Sequence, residues 1–244
     1  MQPNSPAARI YAAIDTTDLA RARALSRALA GVVDGLKLGK EFFTAHGPEG
    51  IRAVLGAPET RQLGLFLDLK FHDIPNTVAG AIRAAAPIAP NWLTVHASGG
   101  PAMLRAAADA AAETRGAQGP PRTRVLAVTV LTSLDDADLD AVGQHTPAAE
   151  QVERLGALAR DNGIDGLVCS PREIARLRQR LGPGVALAVP GIRPTWSVAG
   201  DQKRITTPSD ACAAGADLLV IGRPITGADD PAAAARRIVD EIAA

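Results

Sequence analysis

Leu63–Lys70 reads LGLFLDLK, an apolar run of strand length that ends in two charged residues, Asp68 and Lys70. Seven further apolar, β-rich runs flank it: RIYAAID ending at Asp15, GLKLG at Gly39, NWLTVH at His96, RVLAVTV near Val130, DGLVC at Cys169, GVALAV at Val189 and DLLVIG near Ile221. Amphipathic stretches rich in Ala, Leu and Arg separate them, among them Asp18–Ala30, Gly99–Arg115, Pro147–Asn162, Pro171–Arg180 and Pro231–Ala244. Pro231 suits the first turn of that last helix. Strands alternating with helices from end to end predict a parallel sheet wrapped by helices. The chain has 244 residues, close to the roughly 250 typical of eight such units closed on themselves. The expected fold is therefore α/β, a single (β/α)8 TIM barrel spanning residues 1–244. Periodicity alone leaves an open doubly wound sheet of similar length as the alternative. No linker or low-complexity tract interrupts the alternation, and the one long irregular stretch, Pro190–Pro208, has the length of a functional loop.

Composition narrows the function classes. Formal net charge is zero and aromatic residues make up 3%, so neither a nucleic-acid footprint nor a surface for acidic partners is visible. No apolar run reaches the roughly 18 residues of a membrane span, and the N-terminus carries no secretory signal pattern. Cys169 and Cys212 form no metal-binding or CxxC spacing and read as small buried residues in a reducing compartment. The expected location is cytoplasmic. Of 26 basic residues only four are lysine, namely Lys37, Lys40, Lys70 and Lys203. Lysines kept against such an arginine bias are enriched where a compact charge or a labile proton is needed. Lys37 and Lys70 fit that role at strand ends, whereas Lys40 and Lys203 read as surface residues.

Chemistry in a barrel of this type sits where strands end and βα loops begin. The polar residues at those ends are Asp15, Lys37, Asp68, Lys70, His96, Thr132, Arg193 and Arg223. Along a regular strand Asp68 and Lys70 share one side, about 7 Å apart at the backbone. Buried ionised groups need mutual neutralisation, and Lys37 on the preceding strand with Asp73 beyond Lys70 makes a Lys–Asp–Lys–Asp alternation available. A purely structural salt-bridge cluster would use the same residues. The loops after strands seven and eight, Pro190–Arg193 and Gly222–Arg223, pair glycine with arginine where barrels frequently bind phosphate. Gln202 in the long loop could add a neutral donor.

LDLKFHDIPNT at Leu67–Thr77 resembles the D-x-K-x-x-D-I-P-N-T signature of orotidine 5′-phosphate decarboxylases. AIDTTD, GLKLGKEFF, TVHASGG, AVTVLTS, VPGIRP, GDQKRITTP and VIGRPIT also resemble motifs of that family, in the same order over essentially the whole chain. The resemblance implies a decarboxylase of orotidine 5′-monophosphate that uses no cofactor and no metal. It implies that Lys70 protonates the carbanion left when carbon dioxide departs, that Asp68 lies beside the substrate carboxylate, and that Lys37 links Asp68 to the ribose hydroxyls. Asp15 would bind ribose and Thr132 the pyrimidine. Asp73 and Thr77, with Ile74 also at the substrate, would reach the neighbouring subunit's site, making a homodimer the catalytic unit. Arg193, Gln202, Gly222 and Arg223 would hold the phosphate. The chain has VLTS in the pyrimidine motif, so Thr132 supplies the hydroxyl, and Trp196 and Val198 in the long loop have no assigned role.

Two other functions use overlapping residues. A metal-dependent decarboxylase of a sugar-phosphate keto acid shares D-x-K-x-x-D but usually carries a glutamate after strand two; Lys37 stands there instead and would repel a divalent cation. A non-catalytic barrel that binds a phosphorylated ligand would need the phosphate grip but not a buried Asp68 and Lys70. His96 reads as a polar rim residue, His72 as a surface residue or a neighbour of the site, and Cys169 as an inert thiol. His46 and His145 carry no signal, and Tyr11, Trp92, Phe42 and Phe43 read as packing residues.

Overall fold

The computed structural model describes residues 9–114, 123–197 and 206–243. Its strands are β1 (Arg9–Ile14), β2 (Gly35–Gly39), β3 (Gly64–Phe71), β4 (Trp92–His96), β5 (Arg124–Val128), β6 (Gly166–Val168), β7 (Ala186–Pro190) and β8 (Leu218–Ile221). They pair in parallel in chain order, and β8 pairs back to β1 from Arg9 with Leu218 to Ala12 with Ile221. That last ladder closes the barrel and excludes the open sheet.

Helices cover the outside: α1 (Leu19–Leu29), α2 (Lys40–Leu55), α3 (Pro75–Ala85), α4 (Gly100–Glu113), α5 (Asp136–Ala141), α6 (Ala148–Asp161), α7 (Ile174–Leu181), α8 (Pro208–Ala213), α9 (Arg223–Thr226) and α10 (Pro231–Ala243). Local chemistry sets their ends. Asp18 caps α1 by accepting from the Arg21 N–H at 3.0 Å, and Asp230 accepts from Ala233 at 2.9 Å at the start of α10. The expected Pro171–Arg180 helix is divided: Pro171–Glu173 forms a 3-10 turn, with Ser170 and Glu173 capping each other, and α7 follows. Ile174, Leu177 and Leu181 of α7 are buried, the spacing of a single apolar face.

Strand alternation sorts side chains into two cores. On β1, Ile10, Ala12 and Ile14 join the large core between strands and helices, whereas Tyr11 and Ala13 point into the barrel. Inside, Tyr11, Phe66, Trp92, Leu126 and Leu218 are all buried, with Tyr11 edge-on to Phe66 at 5.9 Å. Gly35 makes room for this layer, because a Cβ there would collide with the Tyr11 ring and the Gly64 carbonyl. Truncating a ring as buried as Phe66 to alanine costs about 3–5 kcal/mol. This packed plug fills the middle of the barrel, and beyond it the same inward series opens into a cavity at the C-terminal strand ends.

Candidate active site

Inward parity carries four charged side chains to that mouth. Asp15 continues the series of Tyr11 and Ala13, Lys37 continues Gly35, and Asp68 and Lys70 continue Phe66. Lys37 Nζ stands 2.9 Å from Asp15 Oδ1 and 3.7 Å from Asp68 Oδ2. Lys70 Nζ donates to both oxygens of Asp68, at 2.8 and 2.7 Å. Within one chain the alternation of sign is therefore Asp15–Lys37–Asp68–Lys70. Burial opposes ionisation of Asp68, but Lys37 and Lys70 outweigh it and hold the carboxyl below its ordinary range.

The strand that delivers this pair is not regular. β3 keeps register with β2 up to Gly39 opposite Asp68. Against β4 it pairs Leu67 with Leu93 and next Phe71 with Val95, so Asp68, Leu69 and Lys70 face Thr94 alone. The bulge puts Lys70 at φ +51°, a left-handed conformation that costs a non-glycine residue about 1–2 kcal/mol. Fully buried Thr94 fills the gap. Its Oγ1 accepts from the Lys70 backbone N–H at 2.8 Å and donates to Asp68 Oδ1 at 2.9 Å. The bulge leaves the expected side unchanged: Asp68 and Lys70 both line the cavity while Leu69 packs in the outer core, and the ammonium reaches both Asp68 oxygens.

The charged array lines one side of a cavity of about 360 Å³ that also includes Thr132, Gly191, Arg193, Gly222 and Arg223. Ala13, Phe66, Val128, Val168 and Val220 form its apolar floor. Gly191 turns the chain after β7 at φ +81°, a conformation open to glycine, and the Arg193 N–H is fixed to the Thr206 carbonyl at 3.2 Å. The cavity has the size of a small-molecule site, and both the cation–anion array and two arginines line it.

This geometry has counterparts among known proteins. The model of the "Orotidine 5'-phosphate decarboxylase / HUMPS family" matches residues 8–238. The chain belongs to this family. An orotidine 5′-phosphate decarboxylase from Paramagnetospirillum magneticum is 54% identical over 96% of this chain and 97% of its own. One from Thermobifida fusca is 52% identical over 97% of this chain and 96% of its own. Among solved structures, orotidine 5′-phosphate decarboxylase from Lactobacillus acidophilus has a TM-score of 0.82 and 35% identity, covering 98% of this chain and 100% of that one.

Against the pattern expected of an orotidine 5′-phosphate decarboxylase, Asp15, Lys37, Asp68, Lys70, Thr132, Arg193, Gly222 and Arg223 all line the one cavity. Asp73, Ile74 and Thr77 do not. All three are exposed, Ile74 to 66%, and Asp73 Oδ1 accepts from the Ile74 N–H at 2.7 Å. Gln202, Lys203 and Val198 lie outside the described residues. Trp196 is half-buried with the Arg237 guanidinium 4.7 Å above its ring.

Thr94 is the residue missed at the level of sequence. Its signal was parity: two positions before His96, it belongs to the inward series of Trp92. His96 itself is half-buried with its ring 5.5 Å from that of exposed His72. Burial, then His72, Lys40 and Lys70, push its imidazole down to about 4. Cys169 lies against the cavity, but burial raises its thiol well above the ordinary range, which opposes a thiolate nucleophile. Among the described residues no group of three or more His, Cys, Asp or Glu side chains could hold a metal ion, and no helix is long and apolar enough to cross a membrane.

Proposed function

We propose that the chain decarboxylates orotidine 5′-monophosphate to uridine 5′-monophosphate without a cofactor, the last step of de novo pyrimidine nucleotide synthesis, in the cytoplasm. The observation that carries this reading is the Lys70 ammonium, held by both Asp68 oxygens and facing the same cavity as Arg193 and Arg223. In the reaction the bond from C6 of the pyrimidine to its carboxylate breaks, its electron pair stays on C6, and carbon dioxide leaves. Lys70 gives its proton to C6 and regains one from water. A positive charge already in place where negative charge develops stabilises the transition state without reorganisation. Asp68 sits beside the departing carboxylate; two carboxylates about 4 Å apart repel by about 4 kcal/mol at an effective dielectric of 20, and loss of carbon dioxide relieves this.

Lys37 and Asp15 hold the ribose, and Thr132 meets the pyrimidine. Arg193, Gly222 and Arg223 grip the phosphate with Gln202. Binding energy gathered there, far from C6, contributes to the rate. Asp73, Ile74 and Thr77 complete the site of a second copy, in a homodimer; their exposure away from their own cavity supports this assignment. The metal-dependent keto-acid decarboxylase is not favoured, because Lys37 places a cation 3.7 Å from Asp68 where a metal would sit. An absorbance assay with orotidine 5′-monophosphate and no additive tests the proposal. Turnover is expected in wild type and after chelator treatment. It is expected to fall at least about 100-fold in Lys70→Ala, with binding of a product analogue retained. Wild-type rates in that variant, or dependence on a metal, would overturn it.

A further inference from the structure

Three residues of β3 face one residue of β4, and that one residue is tied to both ends of the bulge. The contacts form a closed circuit. The Lys70 N–H donates to Thr94 Oγ1, Thr94 Oγ1 donates to Asp68 Oδ1, and Lys70 Nζ returns to both Asp68 oxygens. We propose that Thr94 is a positioning residue of the decarboxylation: its hydroxyl locks the left-handed backbone at Lys70 and the orientation of the Asp68 carboxylate, and so aims the ammonium into the cavity. This deepens the proposed function and rests on Lys70 being the proton donor.

Thr94 makes both bonds with one hydroxyl, which can accept and donate at once. At 0% exposure no solvent can substitute for it. The Lys70 N–H would otherwise lack its partner, because the ladder to β4 is interrupted at this point. The φ of +51° at Lys70 is a strained conformation that persists only where surroundings over-determine it. Asp68 Oδ1 receives two donors and Oδ2 faces Lys70 and Lys37, which leaves the carboxylate one orientation. Thr94 does not line the cavity, so its effect passes through Lys70 and Asp68.

Thr94→Val keeps the shape and removes the hydroxyl, while Thr94→Ser keeps the hydroxyl. Thr94→Val is expected to lower kcat by about 10- to 100-fold, the worth of a lost hydrogen bond to a charged group, with KM changed less than about threefold. Thr94→Ser is expected to retain wild-type kcat. The acid limb of the kcat profile should move to higher pH in Thr94→Val, because Asp68 loses a donor that favours its ionised form; a merely structural defect would lower the rate equally at every pH. A crystal structure of Thr94→Val should show residues 68–70 relaxed and Lys70 Nζ displaced from Asp68. If Thr94→Val does not fold, Thr94→Ala takes the same readings. Wild-type kcat in the hydroxyl-free variant, an unmoved acid limb, or a Thr94→Ser variant as impaired as Thr94→Val overturns the inference. Failure of the underlying reading looks different: wild type inactive, or Lys70→Ala fully active. In that event the role in the reaction falls with it, and the Thr94→Val crystal tests only whether the hydroxyl holds the bulge.

Discussion

Asp68→Asn removes one negative charge from the Asp15–Lys37–Asp68–Lys70 array, and the structure sets what that costs. The Asp68 side chain is 13% exposed and that of Lys70 26%, so solvent screens the pair only partly. A hydrogen bond to a charged group contributes about 1.5–3 kcal/mol; the Lys70 ammonium reaches both Asp68 oxygens and Thr94 supplies one bond more. Lys37 at 3.7 Å adds an attraction of about 4 kcal/mol at an effective dielectric of 20. Desolvation of the carboxylate offsets several kcal/mol of this, leaving a net loss of about 2–3 kcal/mol on neutralisation. For a chain of this size that lowers Tm by about 4–12 °C. The sign of the pH dependence follows from the depressed Asp68 carboxyl. Its stabilisation is fully present above the unfolded value of about 3.9 and is lost as pH falls through the lower folded value. The gap between wild type and Asp68→Asn is therefore widest near neutrality and closes in acid. Urea melts from pH 7 downward at one fixed protein concentration measure it. An Asn variant as stable as wild type at pH 7, or a gap that stays constant in acid, would refute the reasoning.

Arg193→Ala and Arg223→Ala are each expected to lower kcat/KM about 10- to 100-fold, as loss of a charge-assisted phosphate contact; steady-state kinetics with unchanged values would remove the phosphate grip. His96 is expected to stay neutral by NMR until about pH 4. Because its folded value lies below the unfolded one, its share of stability is present above about 6.5 and is lost as pH falls toward the folded value, so His96→Gln should show a flatter decline there. An imidazole titrating near its ordinary value would contradict the burial that depresses it. Mixing inactive Lys70→Ala and Asp73→Ala chains is expected to restore part of the activity through hybrid dimers, and no recovery despite hybrids seen by native mass spectrometry would remove the shared site.

The barrel was legible because its strands announce themselves in one dimension. RIYAAID, GLKLG and WLTVH each combine strand length with apolar content, and the helices between carry caps such as Asp18 and Asp230. Closure was not legible by the same means. It depends on β8 finding β1 across more than two hundred residues, a long-range pairing that no local period encodes, and chain length with eight repeats had to stand in for it. The helix expected over Pro171–Arg180 divides because Ser170 and Glu173 cap each other early, a reciprocal bond that amphipathic spacing does not register.

Alternation placed Asp68 and Lys70 on one side, and both line the cavity; within one chain Asp15 rather than Asp73 joins them and Lys37, and the bulge at Lys70 was not legible. A period of two assigns the side of a residue but not its partner, so two extra residues on β3 leave Asp68 and Lys70 on the same side and go unseen. Here Thr94 faces three residues, and the extra length is absorbed by a positive φ at Lys70, a residue with no sequence mark of that conformation. Lys70 Nζ lies 2.7 Å from Asp68 Oδ2. A threonine inside an apolar strand reads as β-branched filler, so the group that bonds the bulge is also the one composition hides. What the sequence offered was parity: Trp92, Thr94 and His96 share a side, and a hydroxyl on the inward face next to a charged pair needs a partner. Irregular strands beside reactive lysines are therefore best sought from the neighbouring strand, where a lone buried hydroxyl marks the residue the bulge must satisfy.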